Sequence, residues 1–189
     1  MAREFELKYA ATPAAQEKIR EKLGDFEEIS METTYFDTRD RALSRRNITL
    51  RSRQENGCCV CTVKTPGVGH GRGEWDAKAP WCAETVAKLW QSAGEKGVAF
   101  EELSPVCGAK FTRLAAVMEL SGCTVEVALD RGVLLGGGRE MPLCEVEVEV
   151  KSGSEDLATQ WAKALAAEFG LSPEPRSKFR RASALAKGE

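Results

Sequence analysis

Two stretches of the chain alternate strictly between charged and apolar residues. Residues 143–151 read LCEVEVEVK, which sets Glu145, Glu147 and Glu149 against three valines, and residues 3–9 read REFELKY. Successive side chains of a β-strand point to opposite faces of a sheet. Each stretch therefore predicts a strand with one acidic face and one apolar face.

The same alternation predicts further strands at residues 33–37, 47–55, 58–65, 72–79 and 124–130. Asn56-Gly57 is a strong signal for a tight hairpin turn. Residues 109–120 fit a helix or a strand by period alone. The Gly122-Cys123 turn into the next strand favours a strand for this segment.

Helix signals separate these strands. Amphipathic patterns predict helices at residues 13–23, 82–93, 155–169 and 177–187. Polar caps and terminal glycines delimit them, as Thr12-Pro13 and Gly24 do for the first helix. The apolar sides of the helices would cover the apolar faces of the strands.

The charges are sorted between strands, with acids on the terminal strands and bases on the central hairpin. About eight antiparallel strands can close into a barrel, which would turn the charged faces inward. We therefore predict an α+β fold, a closed eight-stranded antiparallel β-barrel or tunnel with a charged lumen, covered outside by α-helices. The alternative is an open sheet with one solvated face.

Composition narrows the possible functions. A chain of 189 residues predicts a single domain, 1–189. The formal net charge of −2 argues against a nucleic-acid binder that relies on overall basic charge. No apolar stretch is long enough to span a membrane, and no secretory signal is visible. Seven cysteines, an odd number, and a single histidine, His70, in a glycine-rich loop, argue against a Cys/His zinc site. We expect a cytoplasmic protein with reduced thiols.

The charged residues suggest a ligand. Clustered carboxylates suit hard divalent cations such as Mg²⁺, which typically binds about one or two protein carboxylates together with substrate phosphates. Arg51 and Arg53, with Lys64 on the neighbouring strand, suit a run of phosphates, because guanidinium groups bind oxyanions in a bidentate manner. The predicted ligand is a compact polyanion with a metal, either a polyphosphate or the triphosphate of a nucleotide.

The same residues carry a family resemblance. E-x-E-x-K at Glu4, Glu6 and Lys8 resembles the signature of the CYTH superfamily, the triphosphate tunnel metalloenzymes. Leu7 stands where that signature often has a basic residue. Later motifs follow in the family's order: Tyr35-Phe36-Asp37-Thr38, Leu50-Arg51-x-Arg53, Thr62-x-Lys64, Glu74, Arg113, Glu126 with Asp130, the Glu145/Glu147/Glu149 run and Ser177-Lys178. CEVEVEVKSG and GLSPEPRSKFRRA are most similar to the bacterial inorganic triphosphatase branch, and we expect no C-terminal CHAD domain.

The resemblance implies roles for these residues and a Mg²⁺ or Mn²⁺ cofactor. It implies metal ligands at Glu4, Glu6, Glu145, Glu147 and Glu149. It implies phosphate-binding residues at Lys8, Arg51, Arg53, Lys64, Arg113 and Lys178. The catalytic set would be Glu6, Lys8, Lys64 and Glu147. The remaining acids, Glu74, Glu126 and Asp130, would complete the lining.

Simpler interpretations stay open for several residues. Lys178 and Arg181 would also fit the surface of the last helix, Asp130 a turn, and Tyr35 and Trp161 the core. The predicted function is hydrolysis of inorganic triphosphate, a small-molecule substrate, with no nucleic-acid or membrane partner. The alternatives are a nucleoside or thiamine triphosphatase, an adenylyl cyclase, or a non-catalytic polyphosphate-binding module. The sequence does not predict an oligomeric state.

Overall fold

The computed structural model describes residues 2–66 and 72–189, with side chains for residues 5–66 and 73–189. The ten strands are β1 (Ala2–Glu4), β2 (Glu6–Ala10), β3 (Glu27–Asp37), β4 (Thr49–Glu55), β5 (Cys58–Thr65), β6 (Arg72–Ala77), β7 (Ser104–Leu120), β8 (Cys123–Gly136), β9 (Arg139–Gly153) and β10 (Ser172–Pro173). The helices are α1 (Pro13–Leu23), α2 (Ala42–Arg45), α3 (Ala83–Ala93), α4 (Glu155–Phe169) and α5 (Lys178–Lys187), with a short 3-10 helix at Phe100–Glu102. The side chain of Glu4 and the loop position of His70 lie outside the described residues.

All ten strands belong to one antiparallel sheet, in the order β1-β6-β5-β4-β3-β7-β8-β9-β2-β10. The predicted closed barrel of eight strands is therefore corrected to a ten-stranded sheet without a closing ladder between β1 and β10. The chain itself connects the two sides of the sheet, because β1 pairs with β6, β2 pairs with β9, and only Phe5 separates β1 from β2. The sheet must curl strongly to bring these two sides together at Phe5.

The predicted strands and helices are confirmed, with differences at their ends. The Thr12 side chain caps α1, and Gly24 follows its last turn with φ of 87°. Asn56 and Gly57 both have positive φ, as a tight hairpin of this type requires. Residues 109–120 form part of a longer strand, β7. The short elements α2 and β10, and the start of β3 at Glu27, were not predicted, because none carries a clear periodic pattern.

Helices cover the apolar face of the sheet at two places. α1 and α4 pack on β2, β8 and β9 around Ile19, Val127 and Val148. α3 packs on β4 and β5 through Val86 and Leu89. In the parts of the chain that the structure describes, no helix is both long enough and apolar enough to span a membrane.

The last helix, α5, lies on the other face. Its Ala182 packs with Met31, Phe111 and Leu134, and Phe111 shares its face of β7 with Arg113, two residues on. α5 therefore fills one end of the concave, charged side of the sheet. This corrects the prediction that all helices lie outside, and it places the N-terminus of α5 against the charged residues.

Candidate active site

A cavity of about 350 Å³ occupies the concave side of the sheet. Strands β2, β3, β4, β5, β6, β7 and β9 and the first turn of α5 contribute to it. Its lining includes eight basic and six acidic side chains, a net of two positive charges: Lys8, Arg51, Arg53, Lys64, Lys78, Arg113, Lys151 and Lys178, with Glu6, Glu55, Glu74, Asp76, Glu147 and Glu149. A net positive cavity with acids of its own suits an anion that arrives with a cation.

One wall is basic and is organised by Glu74. Lys64 and Glu74 are paired across β5 and β6, and Arg51 lies on β4 next to them. The Glu74 carboxylate contacts Arg51 Nη2 at 3.3 Å and Lys64 Nζ at 3.2 Å. One carboxylate shared by two cations holds both side chains in place and leaves an excess of positive charge.

Arg53 is the most buried base of this wall. It is 7% exposed, and its Nε donates to Thr33 Oγ1 at 3.1 Å, while its nearest carboxylate, Glu55, is 3.5 Å from Nη1. Burial, with the neighbouring charges of Arg51 and Arg113, lowers the pKa of Arg53 to about 10. The group stays charged at neutral pH but is poorly compensated, which favours binding of an anion.

An acidic row crosses three strands on the opposite wall. Glu149 of β9 is the register partner of Glu6 on β2 and of Glu126 on β8. Carboxylates directly opposite one another in a sheet repel. Lys151 offsets part of this charge, with Nζ at 2.9 Å from Glu149 and 3.4 Å from Glu126. Carboxylate oxygens are the ligands that Mg²⁺ and Mn²⁺ prefer. A divalent cation between Glu6 and Glu149 would relieve the remaining repulsion.

A second acidic group lies deeper and is already occupied by a cation of the protein. Asp130, Glu145 and Glu147 are buried, and one oxygen from each lies within 4.8 Å of the others. The Lys178 ammonium sits among them, 2.7 Å from Asp130 and 2.8 Å from Glu147, and it also contacts Glu145. A metal ion bound by these three carboxylates would have to take the position that the Lys178 ammonium occupies.

Further bases complete this buried network. The Arg113 guanidinium makes two contacts of 2.8 Å to Asp130 and also reaches Glu147. Lys8 Nζ lies 3.2 Å from Glu147. Burial opposes ionisation of Glu147, but the charges of Lys178, Lys8 and Arg113 outweigh it and hold the pKa of Glu147 well below its ordinary range.

The structure brings most of the predicted site residues together. Those that line the cavity are Glu6, Lys8, Arg51, Arg53, Lys64, Glu74, Arg113, Glu147, Glu149 and Lys178. Asp130 and Glu145 lie behind this lining and contact it through Lys178. Glu126 reaches it through Lys151. The surface and turn interpretations of Lys178, Arg181 and Asp130 are wrong, because all three are buried in ion pairs.

Some lining residues were not predicted as site residues. Lys151, Glu55 and Asp76 continue the alternation of strands that were already recognised, so their positions could have been found from the pattern. Phe179 and Ser177 could not be placed at the cavity from the pattern, because their positions depend on which face of the sheet α5 packs against. Trp161 packs in the apolar cluster under α4, as its core interpretation expects.

The sequence motifs resemble those of the CYTH superfamily, and comparison with known families confirms this resemblance. The CYTH domain family matches residues 2–183. The chain belongs to the CYTH domain family.

Individual relatives are more distant. The chain is similar to the inorganic triphosphatase of Haemophilus influenzae, with 28% identity over 195 residues, which cover 96% of this chain and 54% of the relative. The chain thus spans about half the length of this curated relative.

Solved structures share the fold. A protein from Hippeastrum, described as a proposed adenylyl cyclase with a dominant triphosphatase activity, has a TM-score of 0.70 at 18% identity and covers 100% of this chain and 97% of its own. The PH1819 protein of Pyrococcus horikoshii has a TM-score of 0.66 at 23% identity, covering 98% and 99%.

Proposed function

We propose that the protein hydrolyses inorganic triphosphate to pyrophosphate and phosphate with Mg²⁺ or Mn²⁺. The observation that carries this proposal is the meeting of a basic wall and an acidic row in one cavity. The similarity to the Haemophilus triphosphatase supports it. In this proposal the chain works as one domain, 1–189, in a reducing cytoplasm, in accord with its seven free cysteines.

The enclosed shape of the site is part of the proposal. The continuity of β1 and β2 through Phe5 joins the two sides of the sheet, and Val150 N–H donates to the Phe5 carbonyl at 2.9 Å. We infer that the cavity works as a tunnel. A phosphate chain inside it would be surrounded by charges on all sides and shielded from bulk solvent.

The bases hold the substrate. Arg51, Arg53 and Lys64 would bind phosphate oxygens on one wall, and Lys8, Arg113 and Lys178 on the other. Charge-assisted hydrogen bonds of this kind strengthen as charge builds up on the reacting phosphoryl group. Lys8 and Lys64 approach the cavity from opposite walls, so both could stabilise charge on the terminal phosphate and on the leaving pyrophosphate.

The acidic row would hold the metal. Glu6 and Glu149 are the ligands that we propose, with Glu4 as a further candidate from the sequence. A bound divalent cation would offset phosphate charge and make a bound water more acidic. We leave Glu145 and Glu147 out of the proposed metal ligands, because cations of the protein contact their oxygens. Lys178 and Arg181 contact Glu145, and Lys8, Arg113 and Lys178 contact Glu147.

No covalent intermediate is proposed. Water attacks the terminal phosphorus, the bond to the bridging oxygen breaks, and pyrophosphate leaves with the electron pair. The proton released from water goes to solvent or to phosphate. The side chains contribute position and electrostatic stabilisation, which is sufficient for phosphoryl transfer.

A substrate panel tests this function. Tripolyphosphate, ATP and thiamine triphosphate would be incubated with Mg²⁺ or Mn²⁺, and the products identified by chromatography. We expect pyrophosphate and phosphate from tripolyphosphate, loss of activity in Glu6→Gln and Arg53→Ala, and normal activity in the exposed control Arg39→Ala. Absence of turnover with every metal would leave only the non-catalytic binding module.

A nucleoside triphosphate is the second candidate substrate. Tyr35 and Phe179 line the same cavity with ring centroids 5.2 Å apart, and aromatic rings can stack on a base. Cyclic AMP as the main product from ATP would make the protein an adenylyl cyclase instead.

A further inference from the structure

Glu145 shares its carboxylate between two cations of one helix. Lys178 contacts one of its oxygens and the Arg181 guanidinium the other. Both cations come from the buried side of α5, since residues three apart share a helix face. Gln16 of α1 also donates to the backbone carbonyl of Glu145 at 2.9 Å, so the strand that carries this carboxylate is held by a second helix.

Only one of the two cations reaches the cavity. Lys178 lines it and Arg181 does not. The Lys178 ammonium has three protons to donate, and three carboxylates, Asp130, Glu145 and Glu147, compete for them. A phosphate oxygen in the cavity must compete with these carboxylates for Lys178.

We propose that Arg181 and Glu145 are positioning residues that set how strongly Lys178 binds phosphate. This inference rests on the proposed function, in which Lys178 binds the substrate. Arg181 neutralises Glu145, so that this carboxylate draws less on the ammonium and Lys178 can turn its charge to the cavity. Without Arg181, the whole charge of a buried Glu145 acts on Lys178.

Two substitutions should therefore have opposite effects. Arg181→Met removes the neutralising charge and should weaken tripolyphosphate binding about tenfold, roughly the contribution of one hydrogen bond to a charged group. Glu145→Gln replaces a carboxylate that competes for Lys178 with a neutral amide of similar shape, and it should tighten tripolyphosphate binding severalfold. In the double variant Arg181 has nothing to neutralise, so its loss should have no further effect and binding should match that of Glu145→Gln.

Calorimetric titration measures this effect without turnover. Sodium tripolyphosphate would be titrated into each variant in the presence of a chelator. Arg180→Met repeats the arginine change at the neighbouring exposed position of α5, and Glu140→Gln repeats the glutamate change at an exposed position of β9. Both controls should bind as the wild type does, and circular dichroism would show that each variant is folded.

The double variant separates positioning from structural support. Independent effects that add in the double variant, and so bring its binding back near the wild-type value, would overturn the inference. Weaker binding in Glu145→Gln would overturn it as well. If Arg181→Met does not fold, Glu145→Gln and the charge-balanced double variant still decide. Hydrolysis by the wild type with Mg²⁺, measured in parallel, tests the proposed function separately. Binding without turnover contradicts only that function, and normal turnover with additive effects in the double variant contradicts only this inference. A wild type that hydrolyses tripolyphosphate with Mg²⁺ but does not bind it without metal also contradicts only this inference, and one that does neither contradicts both.

Discussion

Replacing Arg53 with methionine should make the protein more stable and less able to bind its substrate. The pKa of this buried group falls from its ordinary 12.5 to about 10. At about 1.4 kcal/mol per pKa unit, its positive charge costs the folded state about 3 kcal/mol.

The sign follows from the direction of the shift. A base whose pKa is lower in the folded state destabilises that state at every pH below the folded value, and the cost disappears only as pH rises from about 10 towards 12.5. The full cost is therefore present at neutral pH. The methionine removes it but also removes the hydrogen bond to Thr33, worth about 1 kcal/mol. The net gain is about 2 kcal/mol, or an increase in Tm of about 4–8 °C for a chain of this size.

Binding should change in the opposite direction. Loss of one charge-assisted contact should weaken tripolyphosphate binding by roughly 10- to 100-fold. Urea denaturation and calorimetry measure the two effects on the same samples, with the exposed Arg39→Met as the control that changes neither. An Arg53→Met variant that is less stable than the wild type in the absence of anion, or that binds tripolyphosphate normally, would refute the reasoning.

Three further predictions concern other parts of the site. Lys151→Met should tighten Mn²⁺ binding about tenfold, because it removes a positive charge beside Glu149. Calorimetry measures this affinity, with the exposed Lys163→Met as the control. Unchanged affinity would count against the acidic row as the metal site. Gly132→Ala should lower the free energy of unfolding by about 1–3 kcal/mol, because a Cβ there would clash with the Lys110 carbonyl and with Phe111 on β7; a variant as stable as the wild type in urea would contradict this packing. Since the pKa of Glu147 is depressed, its contribution to stability is complete above its ordinary pKa of 4.5 and is lost on acidification; urea midpoints should therefore fall less between pH 6 and pH 3 in Glu147→Gln than in the wild type, and equal losses would contradict the assigned cause.

Much of the sheet could be predicted because alternation determines which residues share a face. Arg51, Arg53 and Lys64 were placed together from the hairpin alone, since its Asn-Gly turn sets the register of the two strands. The same logic grouped Glu147 with Glu149. These predictions needed only local geometry.

The position of α5 could not be predicted in this way. Its pattern of buried and exposed residues shows that one side packs, but not against which face of the sheet. Lys178 and Arg181 are one helical turn apart, which is also what a solvated helix would show. Their burial against Glu145 depends on the curl of the whole sheet. The same curl determines that Glu145 is buried in ion pairs with α5 whereas Glu149 lines the cavity.

The junction at Phe5 has a consequence for how the wall of the cavity can move. Three residue pairs join β1 to β6, whereas thirteen join β7 to β8. Fewer hydrogen bonds make the pairing of β1 with β6 easier to separate, and hydrogen exchange should be faster there than between β7 and β8. A brief separation along this seam would let a charged chain enter sideways, without being threaded end-on.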